Sequence, residues 1–151
     1  MSLHQLIYQS QSLVPFTPLD LNQLLLKARA FNQTHGITGL LLYTPDGRFL
    51  QVLEGEQEAV RNLYYQRIAH DPRHYNCLVL SEGASDCRSF EEWSMAFRPA
   101  QAQDLRRLLA PVPAQSMALL VPRPHTRPEL LALLRDFLQR PEPELTTELS
   151  W

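Results

Sequence analysis

The chain has 151 residues, 44% of them hydrophobic, and a formal charge of −2, which suits one domain with at most a small appendage. That charge offers no long-range attraction to nucleic acid or an anionic membrane, and no apolar run approaches the ~20 residues of a membrane span. MSLHQLIYQS lacks the basic start and apolar core of a signal peptide, and two cysteines, Cys77 and Cys87, make no disulfide framework, so a cytoplasmic protein is expected.

LHQLIYQS (3–10) reads as a strand with Leu6, Tyr8 and Ser10 on one face. A helix comes next: Thr17 can cap it, Pro18 suits its first position and Asp20 its first turn. Leu21, Leu24, Leu25 and Ala28 recur at helical spacing, and Asn32 lies three turns beyond Leu21 on the same stripe. Gly36 can close the helix in a left-handed cap. ITGLLLY (37–43) is a dense apolar strand, TPDG (44–47) a turn, and RFLQVLEG the second arm of a hairpin. Residues 56–71 form a helix with Val60, Leu63, Tyr64 and Ile68 inward, and Pro72 lies just past it. CLVLSEG (77–83) and WSMAFR (93–98) are two further strands, the latter with Trp93, Met95 and Phe97 on one face. The order predicts an α+β fold: a ferredoxin-like β-α-β-β-α-β-β sheet with two helices on one face.

Eight of the twelve prolines lie in 99–151, so that region is not one long helix. Residues 101–110 make a short helix candidate. Residues 126–140 make a longer one, with Thr126 and Glu129 at capping-box spacing and a stripe of Leu130, Leu134, Phe137 and Leu138. That stripe packs on the sheet or forms a subunit contact. The expected division is a sensor domain over 1–99, a helical extension over 100–140 and a frayed tail over 141–151.

Four polar groups point inward. Tyr8 is central in the first strand, Asn32 is on the inner helix face, Gln51 sits between Phe49 and Leu53, and Trp93 opens the last strand. A buried amide without a partner costs about 1–3 kcal/mol. A phenol, two planar amides and an indole N–H converging on an apolar space suit a flat heteroaromatic ligand with alternating donors and acceptors. Such groups more often bond the backbone than a ligand, and periodicity alone names no ligand.

The stretches LIYQS, ARAFNQTHGITGLLLY, FLQVLEGE, DPRHY and FEEWSMAF, in that order over residues 3–98, resemble a BLUF domain, the flavin-based blue-light sensors. The short extension is similar to that of stand-alone BLUF proteins with C-terminal helices. The resemblance implies FAD, with FMN or riboflavin as alternatives, held between the two helices. It puts Tyr8 on the family's photoactive tyrosine and Gln51 on the glutamine that links it to the flavin. Asn32 falls on the asparagine that bonds the ring, and Trp93 and Met95 on the mobile Trp-x-Met segment. Leu24, Leu25 and Ile68 fall at positions that sandwich the ring, beside Phe49. Arg67 and Asp71 fall near the ribityl and phosphate end. Ala28 and Phe31 stand where many relatives carry polar residues, which leaves contact there looser or made by Arg29.

On this resemblance, light drives an electron and then a proton from Tyr8, and Gln51 emerges rotated or tautomerised with a small red shift in absorption. Trp93 and Met95 then exchange places and move the helices beyond them. No output domain is attached, so a separate downstream protein or a homo-oligomer is expected to receive the signal. A flavin-binding or protein-interaction module without photochemistry is the alternative. An RNA platform lacks its basic pattern, and no acid–base pair marks an enzyme. His70, His74 and Asp71 read better as turn and helix-end contacts than as a metal site. The helix after EGE is one residue longer than the family spacing, and the extra residue falls at Tyr64-Tyr65. An insertion there rotates the rest of the helix by about 100°, unless a π-bulge absorbs it.

Overall fold

In a computed structural model, which describes residues 3–109, 128–143 and 145, five strands form one mixed sheet in the order β4-β1-β3-β2-β5. The strands are β1 (Leu3–Ser12), β2 (Thr38–Tyr43), β3 (Arg48–Glu56), β4 (His74–Ser85) and β5 (Ala96–Pro99). β3 is antiparallel to β1 and β2, β4 is antiparallel to β1, and β5 runs parallel to β2.

Helix α1 (Pro18–His35) begins as its sequence dictates. Asp20 N–H donates to Thr17 Oγ1 at 3.1 Å, and Thr17 N–H to Asp20 Oδ2 at 3.0 Å, a reciprocal cap. Gly36 ends it at φ 66°, where a residue with a Cβ is disfavoured. Helix α2 (Gln57–Asn62) passes directly into a π-helical stretch, Leu63–Ile68. The wider turn of the π-stretch falls at the doubled tyrosine. Tyr64 turns into the core and Tyr65 turns out, where its phenol donates to Glu82 Oε1 at 2.8 Å. Arg61 and His4 pair with the same carboxylate, so Glu82 fastens the bulged helix to β4.

The two sheet faces carry separate cores. Leu6, Tyr8, Leu41, Phe49 and Leu53 pack against Leu21, Leu25, Val60 and Tyr64 of α1, α2 and the π-stretch. Ile7, Leu40, Leu42, Leu50 and Val52 face the other way. That second face is covered by helices α3 (Ala102–Leu109) and α4 (Pro128–Asp136) and the 3₁₀ turn Phe137–Gln139, through Leu105, Leu108, Leu130, Leu134 and Phe137. The Leu-rich stripe of the C-terminal helix thus packs on the sheet, and the alternation of β2 and β3 sorts their apolar residues between two cores. Thr126, Ala110, Glu144 and residues 146–151 lie outside the described residues, so the cap at Thr126 and most of the 141–151 tail do too.

The last strand is shorter than its pattern suggests. It begins at Ala96, so Trp93 and Met95 precede the ladder. Trp93 N–H is spent on a turn to Phe90 O at 2.9 Å, while side chains of α1 take the carbonyls of Ser94 and Met95. Glu54 holds this approach in place: its buried carboxylate accepts from Ser89 N–H at 2.9 Å and Phe90 N–H at 2.6 Å.

Candidate functional site

Strand register builds the centre of the site. Gln51 on β3 lies directly across from Tyr8 on β1 and from Leu41 on β2. The Tyr8 phenol donates to Gln51 Oε1, and Gln51 Nε2 donates to Met95 Sδ at 3.3 Å. Both ends of the buried amide are therefore satisfied within the protein. Burial raises the Tyr8 pKa well above the usual tyrosine value, and the negative charge that Cys77, Tyr64 and Asp71 would carry adds to it. Tyr8 is held as a neutral phenol donor. Its ring lies 4.8 Å from that of Tyr64, centroid to centroid.

These side chains end a cavity of about 290 Å³ between α1, the π-stretch and the sheet. Tyr8, Asn32, Gln51 and Leu41 form its inner end, and Leu24, Ala28, Phe31, Phe49, Leu63 and Ile68 its apolar walls. Gln23, Lys27, Arg67, Asp71 and Arg73 stand toward its polar side. Asp71 is tied to Arg73, which holds its carboxyl below the usual carboxylate range. The Arg67 guanidinium lies 4.4 Å from the centre of the Phe31 ring. Asn32 is 2% exposed, and its Nδ2 donates to Ser94 O at 2.7 Å.

The structure brings ten of the sequence-chosen residues to this cavity: Tyr8, Leu24, Ala28, Phe31, Asn32, Phe49, Gln51, Arg67, Ile68 and Asp71. Four are elsewhere. Leu25 lies one helical position round from Leu24, in the core under the cavity. Arg29 turns from the cavity and donates to Met95 O at 2.9 Å. Met95 joins the core on the cavity side behind Gln51. Trp93 does not face this space: it packs on the α3–α4 face, 5.3 Å from the Arg98 guanidinium, because the chain before Ala96 does not keep strand alternation.

Sequence reasoning missed Phe16, Gln23, Lys27, Leu41, Leu63, Arg73 and His74 as site residues, and they also border the cavity. A wider helical stripe would have found Lys27, one turn from Leu24 and Phe31. His74 bonds Ser10 Oγ at 2.8 Å through Nδ1 and the Ile68 carbonyl through Nε2. Its ring thereby closes the end of the π-stretch on β1, and no metal-ligating cluster occurs among the described residues. Cys77 is partly buried, 3.5 Å from His74, with its thiol pKa raised by burial, and Cys87 is exposed.

A narrow, mainly apolar slot with a glutamine amide, an asparagine and a phenol at its inner end fits a planar ring rich in donors and acceptors. Residues 3–96 match the family model for BLUF, sensors of blue-light using FAD. The chain belongs to the BLUF family. BLUF relatives extend from sequence to whole structures. Over 95 residues the chain is 38% identical to the photoactivated adenylate cyclase subunit beta of Euglena gracilis, covering 62% of this chain and 11% of that protein. The chain spans about a tenth of the length of such curated relatives. The ground-state structure of BlsA superposes with a TM-score of 0.70 at 32% identity, covering 96% of this chain and 93% of BlsA. The dark-state structure of the BLUF protein BlrB gives 0.65 at 28% identity, covering 91% and 95%. The BLUF chromophore is FAD, and the donor set and apolar walls of this cavity fit its ring. At about 290 Å³ the slot is at the small end for ligand pockets, and Lys27, Arg67 and Arg73 are among its lining residues.

Proposed function

We propose that this chain is a light switch in which Tyr8 and Gln51 are the photoactive pair and Met95 is the first element to respond, with Trp93 following through the same segment. The observation that carries the reading is the Tyr8–Gln51–Met95 hydrogen-bond chain at the closed end of the cavity. Bound flavin would supply blue-light absorption and the demand for an electron. Tyr8, neutral and desolvated, would give up an electron and then its phenolic proton to that flavin. Gln51 Oε1 already accepts that proton's hydrogen bond, so it lies on the proton's path. When electron and proton return, Gln51 is left rotated or tautomerised, and its amide no longer donates to Met95 Sδ. Nothing is consumed, and the state reverts in the dark.

Met95 is one residue before β5, so a change at Gln51 acts on the entry to that strand and on the helices beyond it. Two curated kinds of relative show how such domains are used: the Euglena protein is a photoactivated adenylate cyclase, and an Escherichia coli relative is a blue light- and temperature-regulated antirepressor. For this chain we propose that a separate protein or a second copy receives the signal, and that the chain performs no catalysis of its own. No helix among the described residues is long and apolar enough to cross a membrane.

Tyr8→Phe tests the reading. It removes the donor hydroxyl and keeps the ring that packs on Tyr64. The variant is expected to bind flavin and to lose the light-induced red shift. A full shift in Tyr8→Phe would take the electron and proton donor away from Tyr8.

A further inference from the structure

The turned-away Arg29 has its own role. Its Nε donates to Met95 O at 2.9 Å, and its Nη2 pairs with the Glu142 carboxylate. One turn on, Asn32 Nδ2 donates to Ser94 O. Met95 is thus held twice, at its carbonyl by Arg29 and at its thioether by Gln51. Glu142 belongs to the stretch after the 3₁₀ turn, which β5 also grips: Arg98 Nε donates to Arg140 O at 2.8 Å. The same Arg98 lies over the Trp93 ring. Glu142 stands close to both cations. Burial lowers the Arg98 pKa, Glu142 opposes that shift and Arg29 adds to it.

We propose that Glu142 is a positioning residue for Met95: as counter-ion to Arg29 it keeps that guanidinium on the Met95 carbonyl, and so ties residues 140–142 to the Gln51–Met95 contact. Without Glu142, Arg29 and Arg98 are neighbouring like charges, and Arg29 is drawn toward water and off the carbonyl. The coupling is reciprocal. Whatever displaces Met95 also loosens residues 140–142, and whatever loosens them shifts Met95. The signalling consequence rests on the photoactive reading above; the placement of Met95 by Glu142 does not.

The chain has three methionines, Met1, Met95 and Met117, so ¹³C-methyl labelling of methionine gives at most three resonances, with Met95 assigned by Met95→Leu. Spectra are recorded in the dark on the flavin-loaded protein and repeated on the flavin-free chain. Glu142→Gln is expected to move the Met95 methyl resonance, Glu142→Asp to return it most of the way, and exposed Glu58→Gln to leave it in place. Dark recovery in Glu142→Gln should change by roughly two- to five-fold, the range of an exposed ion pair. An unmoved Met95 resonance in Glu142→Gln overturns the proposal, as does equal movement in Glu142→Asp or in Glu58→Gln. If the resonance moves as expected but no variant shows a red shift, the positioning role stands and the photoactive reading fails.

Discussion

Gln51 answers a question its own sequence poses: why a glutamine stands between Phe49 and Leu53 on an inward face. Its amide bridges a phenol on one side and a thioether on the other, in a site 7% exposed. The need for a partner was legible from strand alternation, and the identity of one partner was not, because Met95 reaches Gln51 from outside the ladder. Trp93 departs from its expected place for the same reason. Alternation is a property of strands, and before Ala96 the backbone is bound by a turn at Phe90, two α1 side chains and a single bond from β2, Gly39 N–H to Trp93 O. At this scale the raised Tyr8 pKa has a direct consequence. The phenol stays protonated where a free tyrosine, at about 10, begins to ionise. The red-shift amplitude is therefore expected to hold unchanged up to about pH 10 in a titration of the light-minus-dark spectrum. Loss of amplitude with a midpoint near 10, the value of a free tyrosine, would mean that Tyr8 is not shielded from water.

At the scale of elements, the ends of α1 were readable because caps are local chemistry: Thr17, Asp20 and Gly36 act within a few residues of one another. The π-stretch was readable only as a surplus residue. It is fixed by Glu82, on a strand remote in sequence, which takes the Tyr65 hydroxyl, Arg61 and His4 together. The bulge lets Tyr64 enter the core while Leu63, Arg67 and Ile68 still reach the cavity. Gly39 on β2 has a different constraint. A Cβ there would stand 1.9 Å from Val52 O and 3.3 Å from the Met95 methyl, so Gly39→Ala should disturb both β3 and the switch segment. The C-terminal helix belongs to the second core: Leu134 is fully buried there. Leu134→Ala should cost about 2–5 kcal/mol in denaturant unfolding. A cost under about 0.5 kcal/mol, the size of an ordinary surface substitution, would mean that this helix does not pack on the sheet in solution.

Across the whole molecule, the sheet is a partition with a sensor cavity on one face and the C-terminal helices on the other. The chain around β5 serves both: Met95 and Phe97 join the cavity-side core, while Ala96 joins the other. The fold class was legible in the order of strands and helices, but which face the last helices cover was not, since a Leu stripe specifies burial and not its partner. Charge is also distributed with consequences. Hydrogen bonds from Arg73 lower the Asp71 pKa; for Glu82, burial pushes upward but His4, Tyr65 and Arg61 outweigh it. Both carboxylates therefore have folded pKa values below their unfolded ones. Their stabilisation is present above the unfolded value of about 4 and is lost as pH falls through the folded values. Thermal stability should fall steeply below about pH 4, and Glu82→Gln should flatten that fall. An equally steep fall in Glu82→Gln would assign the acid sensitivity to other groups. The central claim concerns light, and one spectrum tests it most directly: absorption of the purified, flavin-loaded protein in the dark, under blue light, and again in the dark. The Tyr8–Gln51 account predicts a flavin spectrum with a small red shift that reverses completely in the dark. Bound flavin with no shift would contradict it.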